Sequence, residues 1–178
     1  MANGNFMDTG PVLILLSGLP GSGKTTFATR LATCLTFEHI ESDAVRRSLA
    51  HEPAFTPAEN ARVFDRVEAE ARRALEAGRH ALIDATNLTT RDRKRFVRLA
   101  RLLAVRLIAV RLVAPEETIR DRLAAPRNGN SQAGIAIYER MRGRAQPFGY
   151  PSVVVDTRFE LAPALALVCF LVDGRLDE

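Results

Sequence analysis

Short, continuous apolar runs alternate along the chain with longer segments in which apolar residues recur at helical spacing. Such runs predict strands buried on both faces of a parallel sheet, and the segments between them predict helices that cover it. The predicted strands are 12–16, 36–41, 81–85, 105–113 and 153–156. The predicted helices are 25–35, 44–50, 57–77, 90–104, 116–125, 135–144 and 163–172. This order predicts an α/β protein, a three-layer sandwich around a central parallel five-stranded sheet.

The segment after the first predicted strand, Gly18-Leu19-Pro20-Gly21-Ser22-Gly23-Lys24-Thr25, fits the pattern G-x-x-x-x-G-K-[ST] at every fixed position. Glycines let the backbone approach phosphates, which the N–H groups and the following helix N-terminus then cradle. The pattern predicts that Lys24 reaches the β- and γ-phosphates and that the Thr25 hydroxyl binds Mg²⁺. It therefore predicts ATP and Mg²⁺ as cofactors. The predicted phosphate-binding residues are Gly18, Gly21, Ser22, Gly23, Lys24, Thr25 and Thr26.

The use of lysine supports this interpretation. Lys24 and Lys94 are the two lysines among 25 basic residues, and the others are arginine. A compact ammonium fits inside a loop wrapped around phosphate, whereas a planar guanidinium does not. The net charge of +4 permits an anionic partner without requiring one.

The chain reads as a flexible polar tail, residues 1–11, followed by a single P-loop domain, residues 12–178. The longest apolar runs, 12–16 and 165–172, are far shorter than the roughly 20 residues of a membrane span. We therefore expect no membrane partner and a cytoplasmic location. The oligomeric state has no signal in the sequence.

Ligands of parallel α/β sheets bind beyond the carboxyl ends of the strands. Asp43 follows the second predicted strand, where a carboxylate can take a proton from an acceptor hydroxyl. The alternative is an N-cap of the next helix, and Asp43 could serve both purposes. Arg46 lies one helical turn further on, where it could hold an acceptor group or orient Asp43.

Asp84 ends the third predicted strand, the Walker-B position that holds Mg²⁺ directly or through water. Thr86 and Asn87 extend this position into a polar loop that could face a substrate. An ordinary Asx-type turn is the alternative for this segment.

Arginines flank a loop rich in Gly, Asn and Ser after residue 125. A short lid carrying an arginine over the transferred phosphoryl group is a recurring arrangement in phosphoryl transfer. The candidates before and within the loop are Arg120, Arg122 and Arg127, and those after it are Arg140, Arg142 and Arg144.

A basic stripe lies along the fourth predicted helix, formed by Arg91, Lys94, Arg95, Arg98 and Arg101. It is either a surface that tracks nucleic-acid phosphates or the solvated face of an amphipathic helix, which is commoner.

Taken together, these motifs resemble the P-loop kinases typified by the 5′-hydroxyl polynucleotide kinases, with relatives among zeta-toxin-like kinases and AAA-type ATP-binding proteins. The matching segments are Gly18–Thr26, Ser42-Asp43 with Arg46, Asp84-Ala85-Thr86-Asn87, Arg127-Asn128 and Val154-Val155-Asp156-Thr157. The chain departs from that pattern in the lid, where Asn130-Ser131-Gln132 offers no second basic residue, and in 147–150, which lacks the expected acidic residues.

The resemblance implies a role for each matching residue. Asp43 would be the general base for the acceptor hydroxyl, and Arg46 would contact the acceptor phosphate. Asp84 would support the acceptor site, and Arg127 would lie on the lid over the nucleotide.

We therefore expect an ATP-dependent kinase that acts on a hydroxyl, with a polynucleotide 5′-hydroxyl end as first choice. The alternatives are a small-molecule phosphotransferase, acting on a metabolite or an antibiotic, and a nucleotide-dependent ATPase switch. The sequence does not distinguish ATP from GTP.

Overall fold

A computed structural model describes residues 10–49, 56–125 and 134–173. Five strands form one sheet: β1 (Val12–Ser17), β2 (Glu38–Glu41), β3 (Ala81–Asp84), β4 (Arg106–Val113) and β5 (Val153–Asp156). All neighbouring strands pair in parallel, in the order β2-β3-β1-β4-β5. The predicted parallel five-stranded sheet is confirmed.

Seven helices connect and cover the strands in the described part of the chain: α1 (Lys24–Leu31), α2 (Ser42–Leu49), α3 (Pro57–Glu76), α4 (Thr90–Leu102), α5 (Glu116–Ala124), α6 (Ile135–Arg142) and α7 (Ala162–Asp173). Every predicted helix is present. Most end one to four residues earlier than the apolar pattern indicated, because the last turns of helices fray into looser turns.

The sheet separates two apolar cores, as expected for a three-layer sandwich. On one face, Ile14 and Leu82 pack with Phe27 of α1 and Val168 of α7. On the other face, Leu15 and Ile83 pack beneath α2, α3 and α4. β1 is buried along its whole length because both of its faces are covered.

Local sequence signals set the helix starts. The Thr56 side chain accepts a hydrogen bond from the Glu59 backbone N–H at 3.1 Å, and Pro57 follows it at the first helical position. At α4, Thr89 and Asp92 form a reciprocal capping box. The first cap fixes where α3 begins, and the second fixes where the polar loop after β3 ends.

The third packed cluster joins α5 to α6 through Ile119, Leu123 and Tyr138. The predicted lid lies between these two helices, but residues 126–133, including Arg127 and Asn128, are outside the described ranges. The predicted tail also lies largely outside them. Within the ranges described, no helix has the length and apolar content to span a bilayer.

Candidate phosphoryl-transfer site

The glycine loop lies at the carboxyl end of the central strand β1, between Ser17 and the start of α1. Gly23 adopts φ 91° at the position before the helix, a conformation that side chains rarely adopt. A Cβ at Gly18 would lie 2.4 Å from Ser22 Oγ and 2.6 Å from the Leu112 carbonyl oxygen, which leaves no room for one. The loop therefore depends on glycine to fold against the strand ends in front of the helix N-terminus, where anions bind.

Lys24 folds back over this loop. Its ammonium donates to the carbonyls of Gly18 at 3.0 Å and Leu19 at 3.2 Å. Burial lowers the pKa of Lys24, while the nearby carboxylates of Asp84 and Asp43 act in the opposite direction. The ammonium is thus held between the phosphate loop and two acids, where it can stabilise negative charge that develops on a phosphoryl group.

Thr25 and Asp84 meet directly. The Thr25 hydroxyl donates to Asp84 Oδ2 at 2.9 Å, and the Asp84 side chain is almost fully buried. His39, which lies on the neighbouring strand β2, places Nε2 3.3 Å from the same oxygen. The structure therefore brings together the two residues predicted to hold Mg²⁺.

This oxygen pair fits Mg²⁺, which in phosphoryl-transfer enzymes takes few protein ligands and completes its shell with water and phosphate oxygens. A cage of three or more His, Cys, Asp or Glu ligands is absent from the described residues. A hydroxyl and a carboxylate beside a phosphate loop are the donors that the P-loop arrangement uses.

Asp43 lies inside the first turn of α2, since the helix begins at Ser42, two residues before the predicted start. Asp43 is therefore not the residue that precedes the helix. Burial raises the pKa of Asp43; Lys24 lowers it, and Glu41 raises it. A carboxylate with a raised pKa is a better proton acceptor, as a general base requires.

Arg46 is buried between α2 and α3. It is 8% exposed, and its guanidinium donates to Glu59 Oε1 at 2.5 Å and to Asn60 Oδ1 at 2.7 Å, both on α3. Its charge still lowers the pKa of Asp43. A buried, ion-paired guanidinium has little freedom to reach a ligand. Contact between Arg46 and the acceptor stays a prediction. The position of Arg46 fits the alternative prediction, in which it acts on Asp43.

Asn87 also lies inside the protein. It is fully buried at φ 44°, and its amide donates to the Leu16 carbonyl at 2.6 Å. The side chain therefore holds the loop after β3 against the end of β1. Contact between Asn87 and a substrate stays a prediction.

Arg122 joins the phosphate loop to the end of β5. Its guanidinium donates to Thr157 Oγ1 at 2.7 Å, to the Thr157 carbonyl at 2.8 Å and to the Gly21 carbonyl at 3.3 Å. A Cβ at Gly23 would also touch Thr157, at 3.3 Å. This contact stabilises the loop from the side opposite to Asp43.

Two other lid candidates are engaged by acids. Arg120 pairs with Glu116 and Glu139, and Arg142 pairs with Glu116. These pairs link α5 to α6 on the surface, so they hold the two helices that flank the lid. The role of Arg127 stays a prediction.

The basic stripe on α4 is partly neutralised. Arg95 pairs with Asp65 at 2.7 Å and Glu68 at 2.8 Å, and Arg98 lies 3.9 Å from Glu68. Both acids belong to α3. This part of the stripe agrees with the interpretation as an amphipathic face rather than a phosphate-tracking surface.

Sequence reasoning missed His39 and Glu41, which act on Asp84 and Asp43. The alternation of side chains along β2 could have indicated them, because residues 39 and 41 lie on one face of the strand. Glu41 is also paired in register with Asp84. It also missed Arg93 on α4, which is 1% exposed. A buried arginine has no sequence signature within a helix so rich in arginine.

The sheet order, the phosphate loop and the acids at the ends of β2 and β3 define a P-loop kinase-like domain. A family of AAA domains matches residues 13–148, and the chain belongs to this family.

Curated relatives match a short segment. Cytidylate kinase from Haloarcula marismortui is 48% identical over 48 residues, which are 27% of this chain and 25% of the relative. Cytidylate kinase from Halobacterium salinarum is 46% identical over 48 residues, with the same shares. The match thus spans about a quarter of the length of either relative.

Solved structures match nearly the whole chain. A putative kinase from Chloroflexus aurantiacus has a TM-score of 0.73 at 21% identity, covering 94% of this chain and 99% of its own. The APS kinase CysC of Mycobacterium tuberculosis, in complex with AMPPNP and APS, has a TM-score of 0.71 at 15% identity, covering 92% and 98%. At these identities the likeness establishes the fold.

Proposed function

We propose that the protein is an ATP- and Mg²⁺-dependent kinase that transfers the γ-phosphoryl group of ATP to a hydroxyl group. One observation carries this proposal: Asp43, an acid with a raised pKa, lies close enough to Lys24 of the phosphate loop for each to shift the pKa of the other. A phosphate-loop lysine and a candidate base are thus beside each other at one edge of the sheet. A nucleotide-dependent switch has no use for a base at this place.

In the proposed reaction, the acceptor oxygen attacks the γ-phosphorus, the bond to the β–γ bridging oxygen breaks, and ADP leaves. Asp43 takes the proton of the acceptor hydroxyl. Lys24 stabilises the charge that develops on the phosphoryl oxygens. Thr25 and Asp84 would hold Mg²⁺, which when bound neutralises charge on the β- and γ-phosphates.

The identity of the acceptor is the finer part of the proposal. The resemblance to polynucleotide kinases points to a 5′-hydroxyl end. A polynucleotide needs cations that bind its phosphates, but Arg46 is paired with Glu59 and Arg95 with two acids of α3. This pairing favours a small hydroxylated acceptor. We therefore place a small-molecule acceptor first and keep the polynucleotide end as the second candidate.

The test is transfer of γ-³²P from ATP, with Mg²⁺, to two sets of acceptors. One set contains DNA and RNA oligonucleotides with 5′-hydroxyl ends, and the other contains small hydroxylated compounds. Label on a member of either set supports the kinase and identifies the acceptor class. Label released only as inorganic phosphate, at a rate that no acceptor changes, would indicate an ATPase and contradict the proposal.

A further inference from the structure

A cavity of about 210 Å³ lies beside the phosphate loop, under the segment that precedes β5. We call it the arginine cavity. Among the residues that line it are Gly18, Leu19, Ser22, Arg93, Arg111 and Phe148. It is smaller than the roughly 300–1,000 Å³ of pockets for drug-sized ligands, so it suits a compact molecule.

Arg93 forms a rigid wall of this cavity. Its guanidinium donates to the carbonyls of Leu88 at 2.7 Å and Pro147 at 2.6 Å, and it stacks 4.7 Å from the centre of the Phe148 ring. These contacts join the loop after β3 to segment 145–148. They consist of carbonyls and a ring, so the positive charge is fixed in place without a carboxylate among these contacts.

Arg111 adds a second cation. It lies on β4 in register with Ser17 of β1, and its guanidinium is 5.8 Å from the same Phe148 ring. Burial lowers the pKa of Arg93, Tyr150 and Asp92 raise it, and the repulsion from Arg111 lowers it further. Across residues 10–49, 56–125 and 134–173, Arg111 has neither a hydrogen-bond acceptor nor an ion-pair partner.

This arrangement differs from that of two other arginines with little exposure. Arg46 and Arg95 each pair with carboxylates of α3. Charges removed from water are normally paired, because desolvation of an unpaired charge is costly. Arg93 lies within electrostatic reach of Asp92, but Arg111 has no acid at ion-pair distance in the described ranges. Arg111 is therefore the cation suited to an anion from outside the chain.

The cavity also adjoins the proposed chemistry. Gly18 and Leu19 line it, and their carbonyls accept hydrogen bonds from Lys24, which in turn lies within electrostatic reach of Asp43. The cavity is thus lined by the same two loop residues whose carbonyls hold the Lys24 ammonium.

We propose that the arginine cavity holds the anionic group of the phosphoryl acceptor, a small hydroxylated compound with a phosphate or a carboxylate, and that Arg111 pairs with that group. This inference rests on the proposed kinase function and adds the chemical class of its substrate.

The test uses three probes that differ in one group: glycerol 3-phosphate, glycerate and glycerol. Each is titrated by calorimetry into protein saturated with AMPPNP and Mg²⁺, so that the phosphate loop is already filled. We expect one of the two anions to bind and glycerol not to bind. Arg111→Met should weaken anion binding about tenfold or more, the loss expected for a charge-assisted hydrogen bond.

Two variants serve as controls. Arg101→Met removes an exposed arginine of α4 and should leave anion binding unchanged. Arg111→Lys keeps the charge and should recover part of the affinity. All variants should bind AMPPNP as the wild type does, which also verifies folding.

Several results would overturn the inference: binding of neither anion, equal binding by Arg111→Met, or a loss of AMPPNP affinity in Arg111→Met, which would assign the cavity to the nucleotide. If Arg111→Met phosphorylates an oligonucleotide or a neutral alcohol at an undiminished rate, that result would also overturn the inference, but it would support the kinase function. Conversely, Arg111-dependent anion binding without phosphoryl transfer to any acceptor would retain the anion site and contradict the kinase.

Discussion

The hydroxyl of Thr25 and the carboxylate of Asp84 lie 2.9 Å apart, although 59 residues separate them in the chain. Thr25 is the second residue of α1, which follows the phosphate loop. Asp84 ends the adjacent strand β3, one position beyond Ile83, which pairs with Leu15 of β1. The parallel pairing of β1 with β3 brings them together. The proximity of the two oxygen donors expected for Mg²⁺ therefore depends on the strand order of the sheet.

Removing either donor should weaken Mg²⁺ binding. Thr25→Val keeps the shape of the side chain and removes its oxygen, and Asp84→Asn removes the charge. We expect each to raise the Mg²⁺ concentration for half-maximal phosphoryl transfer about 10–100-fold, the range seen when groups that support a metal site are lost. Thr25→Ser retains the hydroxyl and should stay near wild type. An unchanged Mg²⁺ requirement in Thr25→Val would argue against this metal site.

Lys24 should not tolerate replacement by arginine. Its ammonium fits within 3.2 Å of two loop carbonyls, and the larger planar guanidinium has no comparable position. We expect Lys24→Arg to lower kcat about 10²–10³-fold, similar to the loss of one oriented charge-stabilising group. Lys94→Arg, at an exposed position of α4, is the matched control and should retain full activity. Equal kcat values in the two variants would show that charge alone matters.

The activity should depend on pH through Asp43. Since burial and Glu41 raise its pKa, the carboxylate is deprotonated only above the ordinary pKa of 3.8, and kcat should rise with pH through that higher range. Glu41→Gln removes a like charge, lowers the pKa of Asp43 and should shift the rise in kcat toward lower pH. Glu38→Gln, on the exposed start of β2, should not shift it. An identical pH profile in the wild type and both variants would show that the rise in kcat does not come from Asp43.

The same pKa predicts a stability cost. A carboxyl whose pKa is raised by folding favours the folded state when protonated, and this contribution is lost as pH rises through its folded pKa. Asp43→Asn should therefore unfold at a higher temperature than the wild type near pH 8. The difference should shrink as pH falls toward 3.8. A lower melting temperature for Asp43→Asn near pH 8 would contradict the raised pKa.

The buried pair of Arg46 and Glu59 should matter for stability. Both side chains are less than 10% exposed, so Glu59→Ala leaves an unpaired buried cation and should lower the free energy of unfolding by about 3–5 kcal/mol. Adding Arg46→Leu should recover part of that loss. Glu70→Ala breaks the exposed Arg66 pair on the same helix and should cost only about 0.2–1 kcal/mol. Urea titrations measure all three, and equal losses for Glu59→Ala and Glu70→Ala would contradict the account.

Periodicity and the glycine pattern were sufficient to predict the architecture. β5 was predicted with its observed bounds, and the strands around the phosphate loop were predicted within two residues. These elements carry strong local signals, since a short continuous apolar run bounded by turn residues is typical of a buried strand in an α/β chain. The same order correctly placed Lys24, Asp43 and Asp84 at one edge of the sheet.

Contacts between elements could not be predicted from the sequence, because they depend on side-chain partners far along the chain. Nothing around Arg46 indicates that Glu59, on the next helix, takes its guanidinium. The inward turn of Asn87 depends on a positive φ, which its neighbours do not specify. Arginine is the ordinary surface cation of this chain, so the burial of Arg93 and the place of Arg111 beside the same cavity could be seen only in the packed structure.

The most direct test of the proposed mechanism compares wild type, Asp43→Asn and Asp121→Asn, the last at an exposed position of α5. The measurement is single-turnover transfer of γ-³²P to the acceptor identified in the screen, with ATP binding determined in parallel. We predict that Asp43→Asn binds ATP normally and transfers label about 10²–10⁴-fold more slowly, the contribution of a general base, while Asp121→Asn matches the wild type. Transfer by Asp43→Asn at the wild-type rate would contradict the assignment of Asp43 as the base.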